Sequence, residues 1–267
     1  MRILLTNDDG ISAPGLVTAE AIAEALAGPD GEVWVVAPAF EQSGVAHCVS
    51  YIRPMRLEQL GPRRFAVEGS PADCVLAGLY EVMRDQAPDL ILSGVNRGHN
   101  VAEDTLYSGT VGGAMEGALH QQRAIALSQY YGPENVHADD PFEAARVHAP
   151  DLIRKLMANA PWEGHRQRYG VFYNVNFPPV PAAHVRGVKA APQGHRPDAT
   201  FGVERQTAPN RRTFLWLTHG AGNASAEPGS DAREAAEGWV TVTPLRADLT
   251  ARDLVDDVGR AVASDGG

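Results

Sequence analysis

The chain has 267 residues, 44% hydrophobic and 21% charged, which supplies enough apolar material for a large α/β domain and excludes a disordered chain. Its 33 acidic against 23 basic residues give a formal net charge of −10, which argues against nucleic-acid polymers and anionic membrane surfaces as partners. No apolar run reaches the roughly 20 residues that cross a bilayer, and the start MRILLTNDDG places carboxylates where an export signal needs an apolar stretch, so a cytoplasmic protein is expected.

Four apolar runs bounded by turn residues, Ile3 to Thr6, Val33 to Ala37, Asp89 to Ser93 and Ala124 to Ser128, predict buried parallel strands. Between the first two, Pro14 to Ala27 is rich in Ala, Leu and Glu, opens on proline and is followed by Gly28, the punctuation of a helix. Ser70-Pro71-Ala72-Asp73 predicts a second helix start: a capping hydroxyl, proline at the first helical position and an acid three residues after the cap. Val75, Leu76, Leu79 and Met83 then share one face. Thr110 to Gln121 and Phe142 to Met157 predict two more helices. This alternation specifies an α/β fold with a Rossmann-like, doubly wound, mostly parallel sheet.

Further on, Val171 to Phe177, Val185 to Ala190, Thr213 to Thr218 and Trp239 to Thr243 are strand-like, while residues 194–212 and 219–230 read as long loops or a projecting hairpin. The expected organisation is a core over 1–190 and a C-terminal region over 191–267 whose projecting hairpin another subunit covers and which returns a strand to the core. Cys48 and Cys74 read as small core hydrophobes in a reducing compartment.

Ligands of open α/β sheets sit at the carboxyl ends of the parallel strands. The first strand runs into Asn7-Asp8-Asp9-Gly10, two adjacent carboxylates whose repulsion a cation would relieve, although the same string is also ordinary turn and helix-cap chemistry. The loop after the second strand holds Glu41-Gln42-Ser43-Gly44, and the loop after the third is Ser93-Gly94-Val95-Asn96-Arg97-Gly98-His99-Asn100. If the second and third strands flank the first, the three loops offer two carboxylates, a hydroxyl and an amide oxygen. Such hard oxygen donors suit Mg²⁺, Mn²⁺ or Ca²⁺. Tyr107-Ser108-Gly109-Thr110-Val111-Gly112-Gly113 opens a helix with small residues, which suits either a phosphate at its N-terminus or close helix packing; it lacks the lysine of a Walker A loop. His47, His99, His120, His148, His195 and His219 are scattered, and only His99 falls in a candidate loop. No GxSxG, HExxH or early GxGxxG is present, which removes the main support for serine hydrolase, zincin and ordinary dinucleotide chemistry.

The blocks MRILLTNDDGISAPGL, VVAPAFEQSG, GSPADCV, SGVNRGHN with YSGTVGGAMEG, NVNFP and EGWVTVTPLRADLT, in that order from Met1 to Thr250, resemble the signature blocks of the stationary-phase survival protein SurE family, metal-dependent nucleoside monophosphate phosphatases. The resemblance implies one divalent metal ion per subunit, Mg²⁺ or Mn²⁺, held by Asp8, Asp9, Ser43 and Asn96. It implies phosphate contacts by Ser108, Gly109 and Thr110, with Asn96 facing both metal and substrate, and catalytic roles for Asp8, Asp9 and Asn96. It also implies nucleoside 5′- and 3′-monophosphates as substrates, short polyphosphate as a side substrate, and a homodimer or tetramer joined through exchanged C-terminal arms. Ala102 stands where the family often has glycine before its acidic pair, and Glu103 replaces one of those acids. The competing readings are an aspartyl-phosphate enzyme, which lacks its DxDxT pattern here, and a non-catalytic metal-dependent nucleotide-binding module.

Overall fold

Nine strands form one sheet in the order β3-β4-β2-β1-β5-β6-β7-β11-β8, in a computed structural model that describes residues 1–162, 169–197, 201–218 and 226–263. β1 (Arg2–Thr6), β2 (Glu32–Pro38), β5 (Leu90–Arg97), β6 (Ala124–Gln129) and β7 (Phe172–Phe177) run parallel. β4 (Arg64–Val67) also runs parallel to β2, whereas β3 (Leu57–Gly61) and β11 (Val240–Leu245) are antiparallel to β4 and β7. β8 (Val188–Ala190) closes the edge parallel to β11. β1 therefore lies between β2 and β5, the arrangement that brings their three C-terminal loops to one crevice.

Each central strand divides its side chains between two cores, because successive residues point to opposite faces. Ile3, Leu5, Leu90, Leu92, Ile125 and Leu127 pack with Leu16, Ala19 and Ile22 of α1 (Pro14–Ala27) and with Ala145, Ala149 and Ile153 of α4 (Glu143–Asn159). Leu4, Ile91, Ala124 and Ala126 face the other way, onto Cys74 and Val75 of α2 (Pro71–Ala77) and Val111, Ala114 and Ala118 of α3 (Gly109–Leu119). Pro150 interrupts the backbone ladder of α4, and the buried stripe on either side of it holds the helix to the sheet.

The helix start at Ser70 forms as expected: the Ser70 side chain accepts from the Asp73 N–H and the Asp73 carboxylate accepts from the Ser70 N–H. α2 ends at Ala77 and passes into one π-helical turn, Gly78–Val82, with Met83 still buried. The strand expected over Val185 to Ala190 is cut to three residues, because Ala182–His184 forms a 3-10 turn and Gly187 takes φ +132°. Cys48 corrects the sequence reading: it is exposed on the loop after β2, and only Cys74 is a core residue. The hairpin β9 (Gly202–Thr207) and β10 (Thr213–Thr218) stands apart as a second sheet, and α5 (Asp231–Ala236) and α6 (Val255–Val262) complete the chain. The residue 219–230 loop lies mostly outside the described residues. Among the described residues no helix is long and apolar enough to cross a membrane.

Candidate metal and phosphate site

The turn after β1 is closed by Asn7, whose Nδ2 donates to the Gly10 carbonyl at 2.9 Å. Asp8 is 4% exposed. Its Oδ1 accepts from Thr110 Oγ1 at 2.6 Å and its Oδ2 from the Thr110 N–H at 3.1 Å, so the first turn of α3 fixes the carboxylate at both oxygens. Gly109 makes that approach feasible, since a Cβ there would lie 2.9 Å from the Asp8 Cβ. Asp9 is less buried, and its Oδ2 accepts from the Arg97 N–H at 3.0 Å.

The other two loops are tied to the same pair of residues. The Gln42 N–H donates to the Asp8 carbonyl at 2.7 Å, which ties the loop that carries Ser43 to the β1 turn; the exposed Ser43 hydroxyl donates to Glu41 Oε1 at 2.9 Å. Asn96 directly precedes the Arg97 that binds Asp9, and its Nδ2 donates to the Gly98 carbonyl at 3.0 Å, which leaves its Oδ1 as an acceptor. The loops that carry Ser43 and Asn96 are thus tied to Asp8 and Asp9 at the carboxyl ends of β1, β2 and β5. At the start of α3, Ser108 caps the helix by accepting from the Val111 N–H at 3.0 Å. With both Thr110 donors engaged by Asp8, the Gly109 N–H is the first-turn donor that has no acceptor among the described residues.

Burial pushes the Asp8 carboxyl up to about 6; the Thr110 hydrogen bonds oppose that rise and the Asp9 charge adds to it. Burial also raises Asp9, against the N–H and charge of Arg97. Asp8 is buried, Asp9 partly so, and the two loops tied to them carry a hydroxyl at Ser43 and an amide oxygen at Asn96. That donor chemistry fits a divalent cation.

Several residues that organise the site escaped the sequence reading. The Asn100 N–H donates to Asn176 Oδ1, its carbonyl accepts from Asn174 Nδ2 and Asn176 Nδ2, and its Nδ2 donates to Ser128 Oγ, which pins the loop after β5 across β6 and β7. The block NVNF signals these amides but not their partner. Of the histidines, His99 stacks on Tyr130 with ring centroids 4.2 Å apart and lies 3.7 Å from Asp104, while His47 and His120 both meet Glu116. His148 binds the Ala182 carbonyl, His195 lies 3.9 Å from Glu103, and His219 lies outside the described residues.

The family described as survival protein SurE matches residues 3–200. The chain belongs to the SurE family. The 5′-nucleotidase SurE of Dinoroseobacter shibae is 62% identical over 263 residues, 98% of this chain and 100% of that protein. That of Roseobacter denitrificans is 60% identical over 255 residues, 96% and 97% of the two chains. The crystal structure of the SurE protein from Aquifex aeolicus is 34% identical, with a TM-score of 0.79 over 98% of this chain and 99% of that one. The doubly wound sheet and its carboxyl-end crevice are the SurE fold.

Ala102 takes φ +49°, the left-handed region that glycine occupies at lower cost, and its N–H is held by both carboxylate oxygens of buried Asp231 at 3.2 Å. The adjacent acids are clamped by Arg196, 7% exposed, which donates through Nε to Glu103 at 3.0 Å and through Nη2 to Asp104 at 2.6 Å. Residues after β8 thereby brace the loop that leads into Ser108. Arg196→Ala leaves two part-buried carboxylates without their cation, so it is expected to cost about 2 kcal/mol, a fall in Tm of roughly 4 to 8 °C in thermal unfolding.

Proposed function

We propose that the chain is a divalent-metal-dependent 5′-nucleotidase that hydrolyses nucleoside 5′- and 3′-monophosphates to nucleoside and phosphate, with short polyphosphate as a side substrate. The observation that carries this is the convergence of Asp8 and Asp9 with the Ser43 and Asn96 loops, each loop hydrogen-bonded to one of the two aspartates. The relatives named 5′-nucleotidase SurE, matched along nearly their whole length, support the same reading.

Asp8, Asp9, Ser43 and Asn96 would hold one Mg²⁺ or Mn²⁺ per subunit, which supplies Lewis-acid charge at the phosphoryl centre when bound. The remaining chemistry belongs to the side chains. Asp8, fixed at both oxygens by Thr110, is a rigid anionic wall, whereas Asp9 is more accessible and orients the attacking water. Asn96 directs its Oδ1 and its amide dipole at the reacting group, and Ser108, Gly109 and Thr110 form the cradle at the N-terminus of α3, with the Gly109 N–H as donor to a phosphoryl oxygen. Uncatalysed monoester hydrolysis is so slow that these groups together supply upwards of ~20 kcal/mol, more than any one of them provides.

Incubation of AMP with Mn²⁺ or Mg²⁺ is expected to release inorganic phosphate and to stop on chelation. A panel of nucleotides and divalent ions that yields binding without release would return the chain to a nucleotide-binding module. Within the hydrolase reading, Asn96→Ala is expected to lower kcat by ten- to a hundredfold and change KM far less, the pattern of an interaction made in the transition state. Steady-state kinetics that instead show a raised KM and unchanged kcat would limit Asn96 to substrate binding.

The same proposal assigns residues 191–267 to oligomerisation through their projecting arm and places the enzyme in the cytoplasm. Two free cysteines, one of them exposed, accord with a reducing compartment.

A further inference from the structure

The loop that carries Ser43 has no regular secondary structure from Phe40 to Ser50, yet it is fastened at several points. The Ala46 N–H donates to the Tyr107 carbonyl at 3.0 Å, just before the Ser108 cap of α3. The Cys48 carbonyl accepts from Ser70 Oγ at 2.5 Å, and Ser50 donates through its N–H and hydroxyl to Asp73 at 2.9 and 2.8 Å. Gly112 gives the loop room, since a Cβ there would lie 2.5 Å from the Ala46 carbonyl oxygen. The remaining fastening runs through a carboxylate: His47 Nε2 lies 2.5 Å from Glu116 Oε2, while His120 Nε2 lies 2.8 Å from Glu116 Oε1.

Glu116 is an expensive residue at this place. Its side chain is 7% exposed, and it sits near the C-terminus of α3, where the helix dipole disfavours an anion. Burial pushes its carboxyl up, but the hydrogen bonds and charges of His47 and His120 outweigh that and hold it below its ordinary value. The carboxylate is kept ionised by its two partners, and one of them belongs to the Ser43 loop. At its other end the same helix fixes Asp8 through Thr110, about 9 Å away along the axis at 1.5 Å per residue.

We propose that Glu116, acting through His47, is a positioning residue for Ser43, and that α3 is the common frame setting the spacing between Asp8 and Ser43. This rests on the assignment of Ser43 as a metal ligand. His120 shares the carboxylate and continues to Tyr80, whose hydroxyl lies 2.7 Å from His120 Nδ1, but it lies on α3's own C-cap and not on the Ser43 loop. It therefore serves as an internal control: His120→Ala removes a Glu116 hydrogen bond without releasing Ser43.

The test is Mn²⁺ titration of metal-free protein by calorimetry, with Tm measured in parallel. Ser43→Ala, Glu116→Gln and His47→Ala are each expected to weaken Mn²⁺ binding about tenfold, the lower range for partners that orient a metal ligand. The double variant Ser43→Ala with Glu116→Gln should bind no more weakly than Ser43→Ala alone, because the two act through one contact. His120→Ala should lower Tm and leave Mn²⁺ affinity within twofold. If Ser43→Ala weakens binding while Glu116→Gln and His47→Ala do not, the positioning role is overturned and the ligand set stands. If Ser43→Ala itself leaves affinity unchanged, the ligand assignment fails and the proposal falls with it. Should Glu116→Gln not fold, His47→Ala decides the same question.

Discussion

Asp8→Asn and Asp9→Asn are each expected to abolish nucleotidase activity while leaving the fold intact. Each substitution removes half the formal charge that the site offers a hard cation, and the neutral amide is a far weaker ligand. The cost to folding is small for a reason visible at Asp8: its carboxylate is buried with a raised pKa, so the neutral side chain relieves a desolvation penalty. The Thr110 hydroxyl can still donate to an asparagine oxygen, and only the N–H contact at 3.1 Å meets a competing donor. The melting point of the metal-free variants should thus stay within a few degrees of wild type, and turnover with AMP at saturating Mn²⁺ should fall by at least a thousandfold. Retention of more than about a tenth of wild-type turnover, a loss under ~1.4 kcal/mol, would remove that aspartate from the metal centre.

What the sequence made legible follows the range of the interactions concerned. Ile3 to Leu5 or Leu90 to Leu92 announce buried strands because each carries its apolar residues in one short run, and the sites at strand ends follow from topology alone once β1 falls between β2 and β5. The capping box at Ser70 is legible because its two halves are three residues apart. By contrast His47 meets Glu116 across 69 positions and Ala102 meets Asp231 across 129, and no local pattern marks either partner. The edge strand Leu57–Gly61 is short and largely solvent-facing, and Arg64–Val67 beside it has only four residues, so neither carries a long apolar run. α5 has only six residues and is hidden in a stretch of glycine, proline and charge. The chemistry of Cys48 suits a core, but its neighbours in a polar loop determine where it lies, and it is exposed. At Asn7 to Gly10 the local sequence is compatible with both a cation site and an ordinary turn, and the SurE resemblance favours the former.

The second large effect expected is on assembly. In the hairpin, Phe214 and Trp216 fall on one face of β10, and Leu215 and Leu217 on the other, opposite Gln206, Glu204, Arg205 and Val203 of β9. A strand apolar on both faces is the pattern of a central strand, yet in the single chain Leu215 is 66% exposed, Trp216 60% and Leu217 72%. Phe201, at the base of the hairpin, meets the Tyr107 ring edge-on at 5.0 Å and is 42% exposed. Coverage of Phe201, Phe214, Leu215 and Trp216 by a second subunit contributes roughly 1.5 to 3 kcal/mol each before entropy costs, enough to favour a closed symmetric assembly. Sedimentation equilibrium at micromolar concentration should find a dimer or tetramer, and removal of residues 202–218 should shift it to the monomer. Because Asp8, Asp9, Ser43 and Asn96 all precede residue 100, the truncated protein should keep its Mn²⁺ affinity within a few-fold and lose activity through the loop that Tyr107 anchors beside Ser108. A wild-type species of 28.5 kDa with full activity would instead mean that the two apolar faces of β10 are not an interface between copies of this chain.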